Sequence, residues 1–240
     1  MKFETHFTRE FIKRSLPAGA RRVLEIGCGS GELAASLLQD GLSVVAIDSD
    51  RDCVAAARQL GVDARNAAWP DFAEGQFDVV LFTRSLHHIH PLNQAVQRAA
   101  DSLPASGRLI VEDFAYEVAD EKTLRWFANA IGQLDAADLL MKDDDFLNAV
   151  RSKIETLEAW RENHVSDLHT AADIFAEIKR TFGAVKREDV PYYFRYLARA
   201  IVPTADRDKI LHDFAVEETA LISNGTILPL GRHFVAERSK

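Results

Sequence analysis

The run Glu25-Ile26-Gly27-Cys28-Gly29-Ser30-Gly31 sets three glycines at alternate positions between the apolar stretch Arg22–Ile26 and the helix-like Glu32–Gln39. Glycine lacks a Cβ, so such a turn bends tightly and lets its backbone approach a ligand closely. Asp48 closes the next apolar run, Ser43–Ile47, and is followed by Ser49 and Asp50. A carboxylate at a strand tip about 17 positions past Gly31 is placed to accept both hydroxyls of an adenosine ribose. Together the two features predict a nucleotide-type cofactor. The dinucleotide fingerprint GxGxxG is met only in part. Read from Gly27, its third glycine falls on Glu32; read from Gly29, it gives G-S-G-E-L-A, which the pattern tolerates. Glu25 tips the balance, because a carboxylate beside the turn repels a pyrophosphate and suits a cationic amino group.

A second group of reactive types follows the apolar run Phe77–Phe82. His87, His88 and His90 stand just past it, where a substrate arrives if that run is a strand of a parallel sheet. His87 or His88 is the candidate catalytic residue. The competing reading has one capping the helix that starts near Pro91-Leu92 and the other packing on the cofactor. Zinc is not expected, since three closely spaced histidines without Cys or Asp partners rarely converge on a metal. Glu112 and Asp113 close a further apolar run and should face opposite ways, one of them toward the site. His164 and His169 are expected at the solvated surface. Trp126, Phe127, Trp160, Tyr192, Tyr193 and Phe194 are expected to be mostly core. Cys28 reads as a small residue tolerated for its size.

These residues need elements to hold them. Strands are predicted over Arg22–Ile26, Ser43–Ile47, Val62–Asn66, Phe77–Phe82 and Gly107–Phe114. Helices are predicted over Glu32–Gln39, Arg51–Leu60 and Leu92–Ser102. Strands of near-continuous Val, Ile and Leu separated by helices indicate a parallel sheet covered on both faces. The layout is α/β and doubly wound. From about Ala115 to His164 the pattern turns helical, with Phe146, Leu147, Val150, Ile154 and Leu157 at helical spacing after the acidic Asp143–Asp145. This stretch, 115–164, reads as a helical insertion within one domain spanning 1–240, over the sheet edge and walling the acceptor pocket. Alternation then resumes. A helix over Ala171–Phe182 opens on Thr170 and Asp173 at capping-box spacing. A strand over Ala184–Tyr193, a helix over Asp206–Ser223 and a last strand over Ile227–Glu237 complete the chain.

Of 240 residues, 47% are hydrophobic and 28% charged, enough for a sizeable core. The net charge of −8 and the lack of any basic run argue against nucleic acid as a partner. Cys28 and Cys53 are too few for a disulfide framework. The opening MKFETHFTREFIKRSL has no apolar stretch suited to a signal peptide, and no window reaches the length of a membrane helix. A reduced, cytoplasmic protein with no membrane partner is expected.

The segment VLEIGCGSG resembles the first motif of class I S-adenosylmethionine-dependent methyltransferases, and Val44–Asp48 resembles their second. Asn66-Ala67-Ala68-Trp69 falls where that family contacts adenine, with Asn66 where the family often has Asp. FDVVLFTRSLHHI is similar to the fourth motif of the small-molecule branch, often called type 11. The resemblance covers Arg22 to about Phe114. It implies a Rossmann-like, mostly parallel seven-stranded sheet with the insertion after the fifth strand and Ile227–Glu237 as the antiparallel last strand. It also implies S-adenosylmethionine as cofactor, S-adenosylhomocysteine as product, and a small-molecule acceptor. Glu25, Gly27, Cys28, Gly29, Gly31, Asp48, Ser49, Asn66, Ala67 and Thr83 are then the cofactor-binding residues. Phe3, His6 and Phe7 would belong to an N-terminal helix closing over the cofactor. Transfer from a sulfonium is an in-line displacement with a neutral leaving group, so positioning supplies most of the rate. A base matters only for an acceptor that must lose a proton. Three other functions remain open: binding of S-adenosylmethionine in a non-methylating or regulatory role, methylation of RNA or protein, and NAD-dependent oxidoreduction.

Overall fold

A computed structural model describes residues 1–141, 144–152, 156–164, 167–204 and 206–239. Asp143 and Ile154 of the predicted helical pattern lie outside the described residues. Seven strands form one sheet: β1 (Arg22–Ile26), β2 (Ser43–Asp48), β3 (Asp63–Asn66), β4 (Val79–Thr83), β5 (Arg108–Phe114), β6 (Val185–Val190) and β7 (Gly231–Glu237). Their order is β3-β2-β1-β4-β5-β7-β6. Strands β1 to β5 pair in parallel, with Leu24 opposite Val45 on one side and Val80 on the other. β7 runs the other way. Arg238 exchanges backbone bonds with Ser106 and Gly107 at the start of β5, while Ala115 just past its end bonds Leu230.

Two compact units make up the chain. The first comprises 1–113, 169–188 and 232–240. Its helices are α1 (Phe3–Ser15), α2 (Glu32–Gln39), α3 (Arg51–Gln59), α4 (Leu92–Asp101) and α8 (Ala171–Phe182). The sheet's two faces are both apolar because alternate residues of each strand point to opposite sides. Leu24, Ile26, Val45, Ile47, Val80, Phe82, Leu109 and Val111 pack with Ala95, Val96 and Ala99 of α4 and Ile174, Ile178 and Phe182 of α8. Val23, Val44, Ala46, Val79, Leu81 and Ile110 pack on the opposite face with Phe11 and Ile12 of α1, Leu33 and Leu37 of α2, and Val54 and Ala57 of α3. The cap of α8 forms as the spacing implies. Thr170 Oγ1 accepts from Asp173 N at 3.1 Å, but the Asp173 carboxylate takes the Thr170 hydroxyl proton rather than its backbone N–H.

The second unit, 114–168 with 189–231, is helical. It holds α5 (Glu121–Ala136), α6 (Asp145–Ser152), α7 (Thr156–His164), α9 (Tyr193–Ala198) and α10 (Arg207–Ser223). Phe127, Trp160, Tyr193, Phe194 and Leu211 are buried in it. The strand predicted through Tyr193 ends at Val190. Pro191 has no N–H to continue a ladder, and the Glu218 carboxylate accepts from the backbone N–H groups of Tyr192, Tyr193 and Phe194 at 2.6, 3.0 and 3.2 Å. That anchor starts a helix instead, and the three aromatic residues are buried around it. His164 is also buried, against the expectation of a surface residue. Its Nδ1 lies 2.7 Å from Trp160 O and its Nε2 3.0 Å from the Tyr196 hydroxyl, so the surrounding aromatic core satisfies both nitrogens. Among the described residues no helix is long and apolar enough to cross a membrane.

Candidate functional site

The strand order reverses between β1 and β4, and a cleft of about 560 Å³ opens beyond the carboxyl ends of β1, β2 and β4. Open α/β sheets bind their ligands at this kind of reversal. The glycine turn hangs from the end of β2: Gly27 N and Cys28 N both donate to Ile47 O, at 2.9 and 3.1 Å. Gly27 has φ +73°, and a Cβ there would come within 2.5 Å of Ser85 Cβ. Gly29 differs. Its φ is +52°, yet a Cβ there would meet nothing within 4 Å, and the residue lines the cleft. Its backbone therefore faces open space of ligand size.

Asp48 fixes this turn. One carboxylate oxygen accepts from Gly29 N at 2.8 Å and the other from Asp50 N at 2.9 Å. Asp50 in turn caps α3 by accepting from Asp52 N and Cys53 N. Asp48, Ser49 and Ala67 line the cleft alongside Gly27 and Gly29. Asn66 is exposed beside it, its Nδ2 donating to Asp48 O and Ser49 O at 3.1 and 2.9 Å. Gly31 stands against α3, where a Cβ would lie 2.5 Å from Ala57 Cβ. Cys28 is buried, and burial first, with Glu25 and Asp48 nearby, pushes its thiol up to about 12. It is a packing residue.

Glu25 and Thr83 lie behind the turn. Glu25 is 1% exposed, and Oε1 accepts from the Thr83 hydroxyl at 3.3 Å. Among the described residues Oε2 has no hydrogen-bond partner. Burial raises this carboxyl to about 7, against the opposing pull of Thr83 and Arg84.

The histidines separate by role. His88 and His90 line the cleft, whereas His87 is buried beneath it. His87 Nδ1 lies 2.7 Å from Asp113 Oδ1, and its ring centroid is 4.1 Å from that of His88. Burial and the neighbouring His87 hold His88 below the usual imidazole range. His169, expected at the surface, packs on His90 at 4.0 Å. It also bonds the turn, its N to His87 O and its Nε2 to Ile89 O, because the chain entering α8 runs beside the histidine segment. Glu112 and Asp113 do face opposite ways, but both are buried and support residues of the cleft rather than lining it. Glu112 Oε1 accepts from Arg84 at 2.9 Å and from the Thr8 hydroxyl at 3.2 Å. Arg84 is the residue the sequence reading missed. It lines the cleft from the end of β4 with φ +61°, a left-handed geometry that costs a non-glycine residue about 1 kcal/mol.

A family model described as a methyltransferase domain matches residues 2–174, which takes in every one of these cleft residues. The chain belongs to the methyltransferase domain family. It is 30% identical to the ubiquinone biosynthesis O-methyltransferase of Xanthomonas axonopodis pv. citri (strain 306) over 210 residues, 81% of each chain. To the protein of the same name from Xylella fastidiosa (strain 9a5c) it is 32% identical over 111 residues. That alignment covers 42% of this chain and 45% of the relative, so the chain matches less than half of the relative's length. Among solved structures, phosphoethanolamine N-methyltransferase 2 of Haemonchus contortus shares the fold with a TM-score of 0.60 at 16% identity. This match covers 98% of this chain and 53% of that one. The expected architecture, an α/β doubly wound sheet of methyltransferase type, is therefore the observed one. Within this methyltransferase-domain fold α1 packs along α2 through Lys2 and Thr5 on Glu32 and a paired contact of Arg9 with Asp40.

Proposed function

We propose that the protein transfers a methyl group from S-adenosylmethionine to the hydroxyl of a small-molecule acceptor, releasing S-adenosylhomocysteine. The observation that carries this reading is the cleft itself, where the open backbone of Gly29, the carboxylate of Asp48 and the imidazole of His88 face one space. The residues fit the cofactor. Gly29 leaves a cradle that any Cβ would fill, Asp48 can hold ribose hydroxyls, and the orphan Oε2 of buried Glu25 suits a cationic amino group. Gly27, Cys28, Gly31 and Thr83 shape the turn behind it. Ser49, Asn66 and Ala67 border the adenine end, where Asn66 keeps its Oδ1 for the adenine amino group.

When bound, the cofactor supplies an electrophilic methyl on a positively charged sulfur. The protein's part is to hold the acceptor in line and keep water out. His88 is the base in this reading. Held below the usual imidazole range, it is neutral near pH 7 and has a lone pair for the hydroxyl proton. His87 and Asp113 fix its position. The two free cysteines suit a reducing, cytoplasmic compartment. Calorimetry with S-adenosylhomocysteine and NAD tests the cofactor, and mass spectrometry of reactions with small phenols, alcohols and amines tests the acceptor. Heat with NAD alone would overturn the reading. Methylation confined to amines would overturn the role of His88.

A further inference from the structure

A second cavity, about 480 Å³, lies away from the cleft among α1, the start of β5, β6 and β7. Phe11, Val185 and Val235 give it apolar walls, while Arg14, Arg108 and Lys186 face it with only two carboxylates, Glu188 and Glu237. Three cations against two anions is a local excess in a chain of net charge −8. His233 also lines it and is 1% exposed, its ring stacked on Phe11 with centroids 3.6 Å apart. An imidazole always carries at least one N–H, yet among the described residues neither ring nitrogen of His233 has a hydrogen-bond partner. The nearest carboxylate oxygens stand off at 3.5 Å, on Glu112, and 3.7 Å, on Glu188. Glu188 is itself bonded to Arg14 at 2.5 Å by a half-exposed pair, the kind of contact another anion exchanges at little cost.

We propose that this cavity is an effector site for a small aromatic carboxylate, and that its occupancy is felt at the cleft through His233, Glu112 and Arg84. A flat apolar ring matches the walls, and a carboxylate matches the surplus cation. An acceptor oxygen supplies what the buried imidazole lacks. Glu112 connects the two spaces, since Oε2 faces His233 while Oε1 holds Arg84 at the cleft wall. A ligand that draws on His233 changes the charge that Glu112 sees, and so its grip on Arg84.

The test is a titration of the full chain with sodium benzoate, followed by NMR of the histidine imidazoles and the Arg84 Nε–H, with His233→Gln used for assignment. Inorganic phosphate and benzyl alcohol serve as arms lacking the ring and the charge. Benzoate is expected to shift the His233 resonances saturably, with the other two probes weaker by about tenfold. Lys186→Ala should weaken benzoate by about fivefold, the upper end for loss of an exposed charge contact. Arg84 should move with His233 in the parent protein but stay fixed in Glu112→Gln. Unmoved His233 resonances in the folded parent protein would overturn the site. Equal binding of phosphate or benzyl alcohol would overturn the ligand class, and an Arg84 signal that ignores saturating benzoate would overturn the coupling. None of these readouts depends on what the cleft binds.

Discussion

The carboxylate that ends β2 holds the turn that follows β1: Asp48 Oδ2 accepts from Gly29 N at 2.8 Å. The neighbouring oxygen, Oδ1, takes Asp50 N at 2.9 Å, so one side chain ties together the glycine turn and the start of α3. Asp48→Ala removes both bonds and the proposed ribose contact. Its effect on S-adenosylhomocysteine affinity is expected at about 1.5–3 kcal/mol, the range for hydrogen bonds to a charged group. Calorimetry on a variant with unchanged circular dichroism checks it. Unaltered affinity would mean that another group holds the ribose.

Two glycines of the turn should respond differently to alanine. At Gly27 the new Cβ would stand 2.5 Å from Ser85 Cβ, so Gly27→Ala is expected to lose stability through a packing clash as well as backbone strain. At Gly29 the Cβ meets only open space, and the fold should lose only about 1–2 kcal/mol from the left-handed backbone. The same methyl occupies the cradle, so Gly29→Ala should fold and bind cofactor poorly. Denaturant titration beside calorimetry separates the two cases. Normal binding by Gly29→Ala would show that the cradle is not used.

The His87–Asp113 pair depends on the pairing of β4 with β5, which sets Phe82 opposite Val111 and brings Asp113 to the histidine segment. Asp113→Ala removes the acceptor at 2.7 Å from a ring that is 5% exposed. A stability loss of about 1–3 kcal/mol is expected from the lost buried bond. The rate of methyl transfer should fall further than cofactor affinity, because His88 rests on His87. Equal loss of both would assign the pair to the cofactor instead.

Much of this was legible in the residues. Strands β1, β2, β4 and β5 are apolar on both faces, and that pattern leaves few alternatives to a covered parallel sheet. The glycine turn and Asp48 were legible because close backbone approach and a strand-tip carboxylate leave marks on residue type. Other features leave none. Tyr192-Tyr193-Phe194 has strand-like composition, and only the distant Glu218 makes it start a helix. A left-handed Arg84 has no signature in the chain, since the signal for that geometry is glycine. The partners of Glu112 and Asp113 follow from strand register and from α1, neither of which local pattern supplies. The burial of His164 and the tethering of half-buried His169 leave no local mark either, because each is held by segments far off in sequence.

Glu25 gives a dependence on pH that cofactor binding should reverse. Burial raises its carboxyl from 4.5 to about 7, so the free fold prefers it protonated. A group whose folded value is raised contributes its stability fully below its unfolded value and loses it as pH rises through the folded one. Through Glu25 the free protein should therefore lose about 3 kcal/mol of stability between about pH 4.5 and 7, at 1.4 kcal/mol for each tenfold change in proton affinity. Glu25→Gln should remove this share of the slope, leaving that of buried Glu218, which is raised to about 7 as well, and be the more stable form above pH 7. A cationic amino group beside Oε2 reverses the preference, because it favours the carboxylate. S-adenosylhomocysteine should then displace a proton on binding at pH 6, and its affinity should climb toward pH 7 and level off there. Calorimetry in buffers of different ionisation enthalpy counts that proton directly. Glu25→Gln should release none and bind more weakly at pH 7.5. Proton uptake on binding, or the same release from the Gln variant, would remove Glu25 from the cofactor site.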